Sequence, residues 1–132
     1  MKREDWDWSR PVVDHIDVRA SDFRRSVGFY ETVLASLGIP KLYETDGEAC
    51  FTRVNVVAEE PLTSGLHLCF HARSRAEVDA FHDAGVNGGF TSNGAPGLRD
   101  YAPGYYAAYL LDPDGNNVEA LYRDVGNPGH AG

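Results

Sequence analysis

His15, His67 and Glu119 stand at equal intervals in the chain, each 52 positions after the one before. Two imidazoles and one carboxylate are the donor set of a metal site that keeps coordination positions open. An ion held that way polarises the oxygen atoms that reach it. The three residues fall in segments that read as β-strands: Val12–Arg19, Leu66–Ala72 and Asn117–Tyr122. Equal spacing suggests a structural unit used twice, with equivalent strands able to bring the three side chains together.

Strand alternation assigns the faces. In the first segment Val13, His15, Asp17 and Arg19 lie opposite Ile16, Val18 and Ala20. In the second, His67, Cys69 and His71 lie opposite Leu66, Leu68 and Phe70. In the third, Asn117, Glu119 and Leu121 lie opposite Val118, Ala120 and Tyr122. Each candidate ligand faces away from the more apolar side. The apolar faces are expected to pack under helices, and the ligand faces to line a concave, wetter side. A buried carboxylate there needs a partner, and a metal ion supplies the charge. Any one of the three alone would read as a hydrogen-bonded structural residue.

The elements that must position these residues follow from periodicity and turn chemistry. Phe23, Val27, Tyr30, Leu34 and Leu37 recur at helical steps after a capping Ser21 or Asp22, predicting a helix near Asp22–Leu37 closed by Gly38. Ile39–Thr45 and Ala49–Ala58 read as strands broken at Asp46 and Gly47. Pro61 to Gly65 connects the halves. Ser74-Arg75-Ala76-Glu77 is a capping box that opens a helix near Ser74–Ala84, with Val78, Phe81 and Ala84 buried and Gly85 ending it. Phe90 to Ala102 is rich in Gly, Pro and Asn and is expected to be a long loop with at most a short strand. Tyr105–Leu111 and Asn117–Tyr122 are strands flanking the turn Asp112-Pro113-Asp114-Gly115-Asn116. The tail, Asp124–Gly132, is expected to fray. Each half is thus strand, helix, then two or three antiparallel strands. Neither half is large enough to bury its own sheet, so a shared core is expected.

The chain has 132 residues, 42% hydrophobic and 24% charged, which fits one globular domain, 1–132, with module one at about 11–61 and module two at about 65–123. A net charge of −8 without a basic stripe argues against nucleic acid and anionic membranes as partners. No apolar run approaches the roughly 20 residues a membrane span needs. Met1–Arg10 carries no apolar leader core, so a cytoplasmic location is the expectation. Cys50 and Cys69 read as two buried, reduced thiols.

Four stretches together resemble the vicinal oxygen chelate superfamily, which holds glyoxalase, bleomycin-resistance and extradiol dioxygenase proteins. They are Val13-Asp14-His15-Ile16-Asp17-Val18, the helix from Ser21-Asp22-Phe23 to Phe29-Tyr30, Gly65-Leu66-His67-Leu68-Cys69-Phe70, and Asp112-Pro113-Asp114-Gly115-Asn116-Asn117-Val118-Glu119. The resemblance covers about residues 11–123. It implies an α+β fold of paired βαβββ modules forming a curled mixed sheet around a metal-binding cup. It also places His15, His67 and Glu119 on the first-, fifth- and eighth-strand ligand positions. The fourth strand departs from the glyoxalase I pattern. Val54-Asn55-Val56-Val57 offers no strong fourth ligand there, although Glu48, Glu59 and Glu60 lie near its ends.

Two functions follow. One is a metal-dependent enzyme acting on a small substrate with vicinal oxygens, by lyase, isomerase or ring-cleaving dioxygenase chemistry. A divalent ion (Fe, Mn, Zn or Ni) would be its cofactor, and Glu119 or the nearby His71 would move the proton. The other is a non-catalytic drug-binding module of the bleomycin-resistance type. All three ligand residues are present, which favours the enzyme. Arg99 is suited to hold a carboxylate or phosphate bidentately, and Tyr101, Tyr105 and Tyr106 to close over a ligand. Trp6 and Trp8 are expected to cover an apolar patch. The resemblance implies a homodimer, because small members of the family often complete their cup across a subunit contact; a cup open within one chain and one completed by a partner both fit the sequence.

Overall fold

The computed structural model describes residues 1–124; the end of the expected frayed tail, 125–132, lies outside the described residues. After a 3-10 turn at Arg3–Asp5, the elements run β1 (Ile16–Arg19), α1 (Phe23–Ala35), β2 (Tyr43–Glu44), β3 (Glu48–Phe51), β4 (Val54–Val57), β5 (His67–His71), α2 (Arg75–Asn87), β6 (Thr91–Arg99), β7 (Tyr105–Leu111) and β8 (Asn117–Arg123). They form two four-stranded mixed sheets, ordered β1-β4-β3-β2 and β5-β8-β7-β6. In each, the first strand of a βαβββ module runs parallel to its last, and the other pairs are antiparallel.

Both helices start where their caps dictate. The Asp22 carboxylate accepts from the Arg25 amide at 3.2 Å, and the Ser74 hydroxyl from the Glu77 amide at 3.1 Å. Glu77 reaches back to the amide of Arg73 at 2.7 Å, one residue before the cap, and also pairs with the Arg73 guanidinium. Helix α1 buries Val27, Phe29, Tyr30, Val33 and Leu34. Helix α2 runs through Gly85 to Asn87 instead of ending at it. Gly85 is buried, and a side chain there would collide with Leu110 of β7; its absence lets the helix lie close on the sheet.

One core serves both modules. Phe29 and Phe90 meet edge to face at 5.0 Å, and residues from both helices and both sheets join the same buried cluster. Fully burying a side chain such as Phe29 contributes about 1.5–3 kcal/mol. The apolar strand faces expected to pack under helices do so: Ile16, Val18, Leu68, Phe70, Val118 and Ala120 all join that cluster.

Several elements differ from the sequence expectation. The first strand is shorter, so Val12 and Val13 are exposed and His15 precedes it. The stretch 49–58 is a hairpin, folded at Thr52 with φ 63°, and gives β3 and β4. The expected loop at 90–102 is largely the nine-residue strand β6, on the edge of its sheet. Register shifts between Ser92 and Gly94 and between Gly94 and Gly97 erase its alternation pattern. Its edge position tolerates Pro96.

The β7–β8 turn locks the modules together. Asp112, 4% exposed, accepts from the Tyr30 hydroxyl at 2.8 Å, the Asn116 side-chain amide at 2.9 Å, and the backbone amides of Asp114 and Asn116. Burial and the two neighbouring aspartates push the Tyr30 phenol far above its ordinary range, so it stays a donor. Asn116 in turn donates to the Thr63 carbonyl and accepts from the Leu66 amide, which seats β5 beside β8. Asp114 accepts from the amide and the hydroxyl of Ser21, just ahead of α1.

Candidate functional site

The sheet face of module two that points away from the helices carries the polar side chains. Register defines its rows, because directly paired residues share a face. His67 pairs with Asn117, and Cys69 with Glu119, which pairs onward with Tyr109. His71 pairs with Leu121 and then Ala107. Arg99, Tyr105 and Arg123 form the outermost row, across three adjacent strands.

His67 and Glu119 meet on this face. The imidazole Nε2 lies 2.7 Å from Glu119 Oε1, and the Tyr105 hydroxyl donates to Oε2. Glu119 is 1% exposed, whereas the His67 side chain is 55% exposed. The carboxylate is therefore buried under its partners, while the imidazole stands at the opening. Along β7, Ala107 separates Tyr105 from Tyr109, the direct cross-strand partner of Glu119. Tyr109, Ala107 and Leu121 form a second, small buried cluster with Tyr105 packed on it. Loss of water and the Glu119 carboxylate push the Tyr105 and Tyr109 phenols well above their usual range. Although Cys69 lies on the exposed face, the crowding of its sulfur away from water and the same carboxylate push its thiol up to about 12, with Arg123 pulling the other way.

His15 is placed elsewhere. Its Nδ1 lies 2.7 Å from Asp14, and its side chain is 56% exposed. The Asp14 hydrogen bond raises the His15 imidazole above its ordinary pKa. Among the described residues, no group of three or more His, Cys, Asp or Glu side chains is arranged to hold a metal ion. The expected convergence of His15, His67 and Glu119 is thus absent within one chain. His15 precedes a strand of the first sheet and the other two belong to the second, and among the described residues no strand pairing ties the two sheets together.

Register also relates the two modules. Asp17 pairs with Asn55 as Cys69 pairs with Glu119, two residues after His15 and His67 respectively. Asn55 therefore stands in module one where Glu119 stands in module two. Its side-chain amide donates to Asp17 at 3.0 Å.

The other expected contacts divide. His71 is exposed on the same face, and Arg99 stacks over Tyr109 with its guanidinium carbon 5.3 Å from the ring centre. Tyr101, 71% exposed, meets Tyr105 edge to face at 5.2 Å. Tyr106 does not close over this face; it lies on the helix side, where its hydroxyl donates to Asp79 at 2.6 Å. Both cysteines are free, but only Cys50 is buried; Cys69 is exposed because its face is open. Trp6 and Trp8 stack with the leader's own Arg10 and Arg3. Tyr109, Cys69 and Arg123 were missed as site residues. Alternation already set Cys69 on this face; carried through Tyr105–Leu111 and one residue past Tyr122, it places Tyr109 and Arg123 there too.

A surface depression of about 820 Å³ is bounded by Ala20, Phe23, Glu59, Pro61 and Leu62 and shares no residue with this face. Among the described residues, no helix is long and apolar enough to cross a membrane.

Residues 12–120 match the family model of the Glyoxalase/Bleomycin resistance protein/Dioxygenase superfamily. A crystal structure of a glyoxalase/bleomycin resistance protein from Albidiferax ferrireducens T118 is 36% identical, covers 83% of this chain and 98% of its own, and has a TM-score of 0.73. Lactoylglutathione lyase from Agrobacterium tumefaciens shares the fold at 19% identity and TM-score 0.62, over 86% of this chain and 94% of its own. A glyoxalase/bleomycin resistance protein/dioxygenase family enzyme from Burkholderia phytofirmans PsJN does so at 20% identity and TM-score 0.63, over 83% and 96%. No curated protein matches the chain.

Proposed function

The chain belongs to the Glyoxalase/Bleomycin resistance protein/Dioxygenase superfamily, and from that premise we propose that it is a metal-dependent enzyme acting on a small substrate with vicinal oxygens, by lyase, isomerase or dioxygenase chemistry. The observation that carries this reading is the buried Glu119 carboxylate facing the solvent-facing His67 imidazole. Burying a carboxylate is costly, and a nearby cation offsets that cost better than neutral donors do.

Imidazole nitrogen and carboxylate oxygen on one face suit a divalent ion such as Fe, Mn, Zn or Ni. His67 and Glu119 would hold it from one chain, and His15 of a second copy would supply the third donor, which makes the working unit a homodimer. The exposure of His15 supports that role. The ion, when bound, supplies Lewis-acid polarisation of the substrate oxygens. Glu119 holds or moves a proton at its Oε2, where Tyr105 donates. His71, two positions beyond Cys69 on the same face, is a second proton acceptor. Arg99 and Tyr101 orient the substrate at the rim.

Metal analysis of freshly purified protein, with chelator-treated controls, tests the reading. Bound divalent metal that is lost in Glu119→Ala and retained in Glu59→Ala is the expected result. Wild-type protein that takes up no divalent ion on titration rejects the enzyme. The drug-binding alternative then replaces it, and the failure of the three donors to meet within one chain is the observation in its favour.

A further inference from the structure

Module two holds a second chemical feature on the same face, built around Arg99. This side chain lies back along the sheet over two glycines. A side-chain carbon at Gly97 would sit 3.1 Å from the Arg99 guanidinium, and one at Gly94 would sit 2.8 Å from Tyr109 and 3.4 Å from Arg99. The glycines thus leave a slot that the guanidinium fills, stacked on Tyr109 and anchored by a 2.7 Å hydrogen bond to the Ala95 carbonyl. Tyr109 pairs directly with Glu119, so the slot brings the positive charge back toward the buried carboxylate.

Arg123 mirrors it. It flanks Tyr105 from the opposite strand and stacks over that ring at 5.2 Å. Elsewhere Arg53, Arg73 and Arg75 lie beside Asp14, Glu77 and Asp124. Among the described residues, Arg99 and Arg123 make no such ion pair, in a chain of net charge −8. Both are half-buried, which raises the worth of a charged partner. A depression of about 500 Å³ bounded by Leu98, Arg99, Asp100, Tyr101 and Pro103 opens beside Arg99.

We propose that Arg99 and Arg123 form an anion grip, so that the ligand of this face is a small molecule bearing a carboxylate or a phosphate. A guanidinium fork matches either group with two parallel hydrogen bonds, and stacking on tyrosine fixes the fork in advance. The inference rests on the reading of this face as the ligand site, but it does not require the metal.

The test uses the full chain after chelator treatment, titrated by NMR with sodium benzoate, inorganic phosphate and neutral benzamide. Benzoate, phosphate or both should bind, and benzamide should not. Which anion binds separates carboxylate from phosphate recognition. Arg99→Gln and Arg123→Gln should each weaken binding about tenfold or more. Gly97→Val keeps both arginines and should weaken it comparably, because it expels Arg99 from its slot. Benzamide binding as well as benzoate overturns the proposal, as does an unchanged affinity in Arg99→Gln that still shows the wild-type circular dichroism. So does an Arg99→Gln protein whose solution mass falls while its anion affinity holds, since the arginine then serves a subunit contact. Divalent-metal titration of Arg99→Gln keeps the two readings apart: metal affinity there depends on Glu119 and not on the grip.

Discussion

Replacing Asp112 by alanine should be among the most damaging single changes in this protein. Its carboxylate accepts four hydrogen bonds at 2.8–2.9 Å and is 4% exposed. Alanine leaves the Tyr30 hydroxyl and the Asn116 amide, both on fully buried residues, without that acceptor. Each stranded buried donor costs about 1–3 kcal/mol. The two turn amides lie nearer solvent and add less. The expected loss is about 3–5 kcal/mol, a large share of the roughly 5–15 kcal/mol that stabilises a domain. Urea unfolding followed by far-UV circular dichroism measures it; tryptophan fluorescence would not, since Trp6 and Trp8 sit in the leader. Tyr30→Phe removes one donor and keeps the acceptor, so it should cost only about 1 kcal/mol. In the Tyr30→Phe background, Asp112→Ala should cost less by about 1 kcal/mol, because one donor is no longer stranded. A loss below about 1 kcal/mol for Asp112→Ala, or strict additivity in the cycle, would refute the claim that this carboxylate is the lock between the modules.

Four further outcomes are expected. Glu119→Ala should weaken divalent-metal affinity by at least tenfold while Glu59→Ala and Glu60→Ala leave it unchanged, as read by titration calorimetry; equal effects would remove Glu119 from the metal site. Tyr105→Phe takes the donor from Glu119 Oε2 and should lower urea stability by about 1–2 kcal/mol, and a neutral effect would show that water replaces it. Light scattering at high protein concentration should give twice the chain mass, and a monomer would leave His15 without a second copy to serve. The Arg73 partners hold the Glu77 carboxyl below its usual value of 4.5, so the stability it contributes is complete above that pH and is lost as the pH falls through the lowered folded value. Arg73 is largely exposed, so Glu77→Gln should cost no more than about 1 kcal/mol at pH 7. Thermal unfolding curves of the two proteins should then converge in acid, and a gap that widens there would reverse the sign.

Much of the architecture was legible because it is local. The apolar spacing from Phe23 to Leu34 and the Ser74–Glu77 cap each lie within one helix, and the turn from Asp112 to Asn116 carries its own chemistry. Alternation likewise set His67 and Glu119 on one face, since β5 and β8 are regular. Strand β6 was hidden because its bulges break the two-residue period and its glycines imitate a loop. The slot for Arg99 was hidden for the same reason. What Asp112 touches was also out of reach, because Tyr30 lies 82 positions away and nothing local points to it. The position of His15 could not be read either. Alternation fixes which way a side chain faces within its own sheet and says nothing about how two unpaired sheets stand to one another.

The register match between Asn55 and Glu119 has a consequence for stoichiometry. The two halves share a strand order and a pairing position two places past a histidine. An acidic residue at that position in both halves would offer two equivalent glutamate stations per chain. Here module two carries the carboxylate and module one an uncharged amide in its place. If the metal-dependent reading holds, an assembly should then bind one ion for each chain and not one for each half.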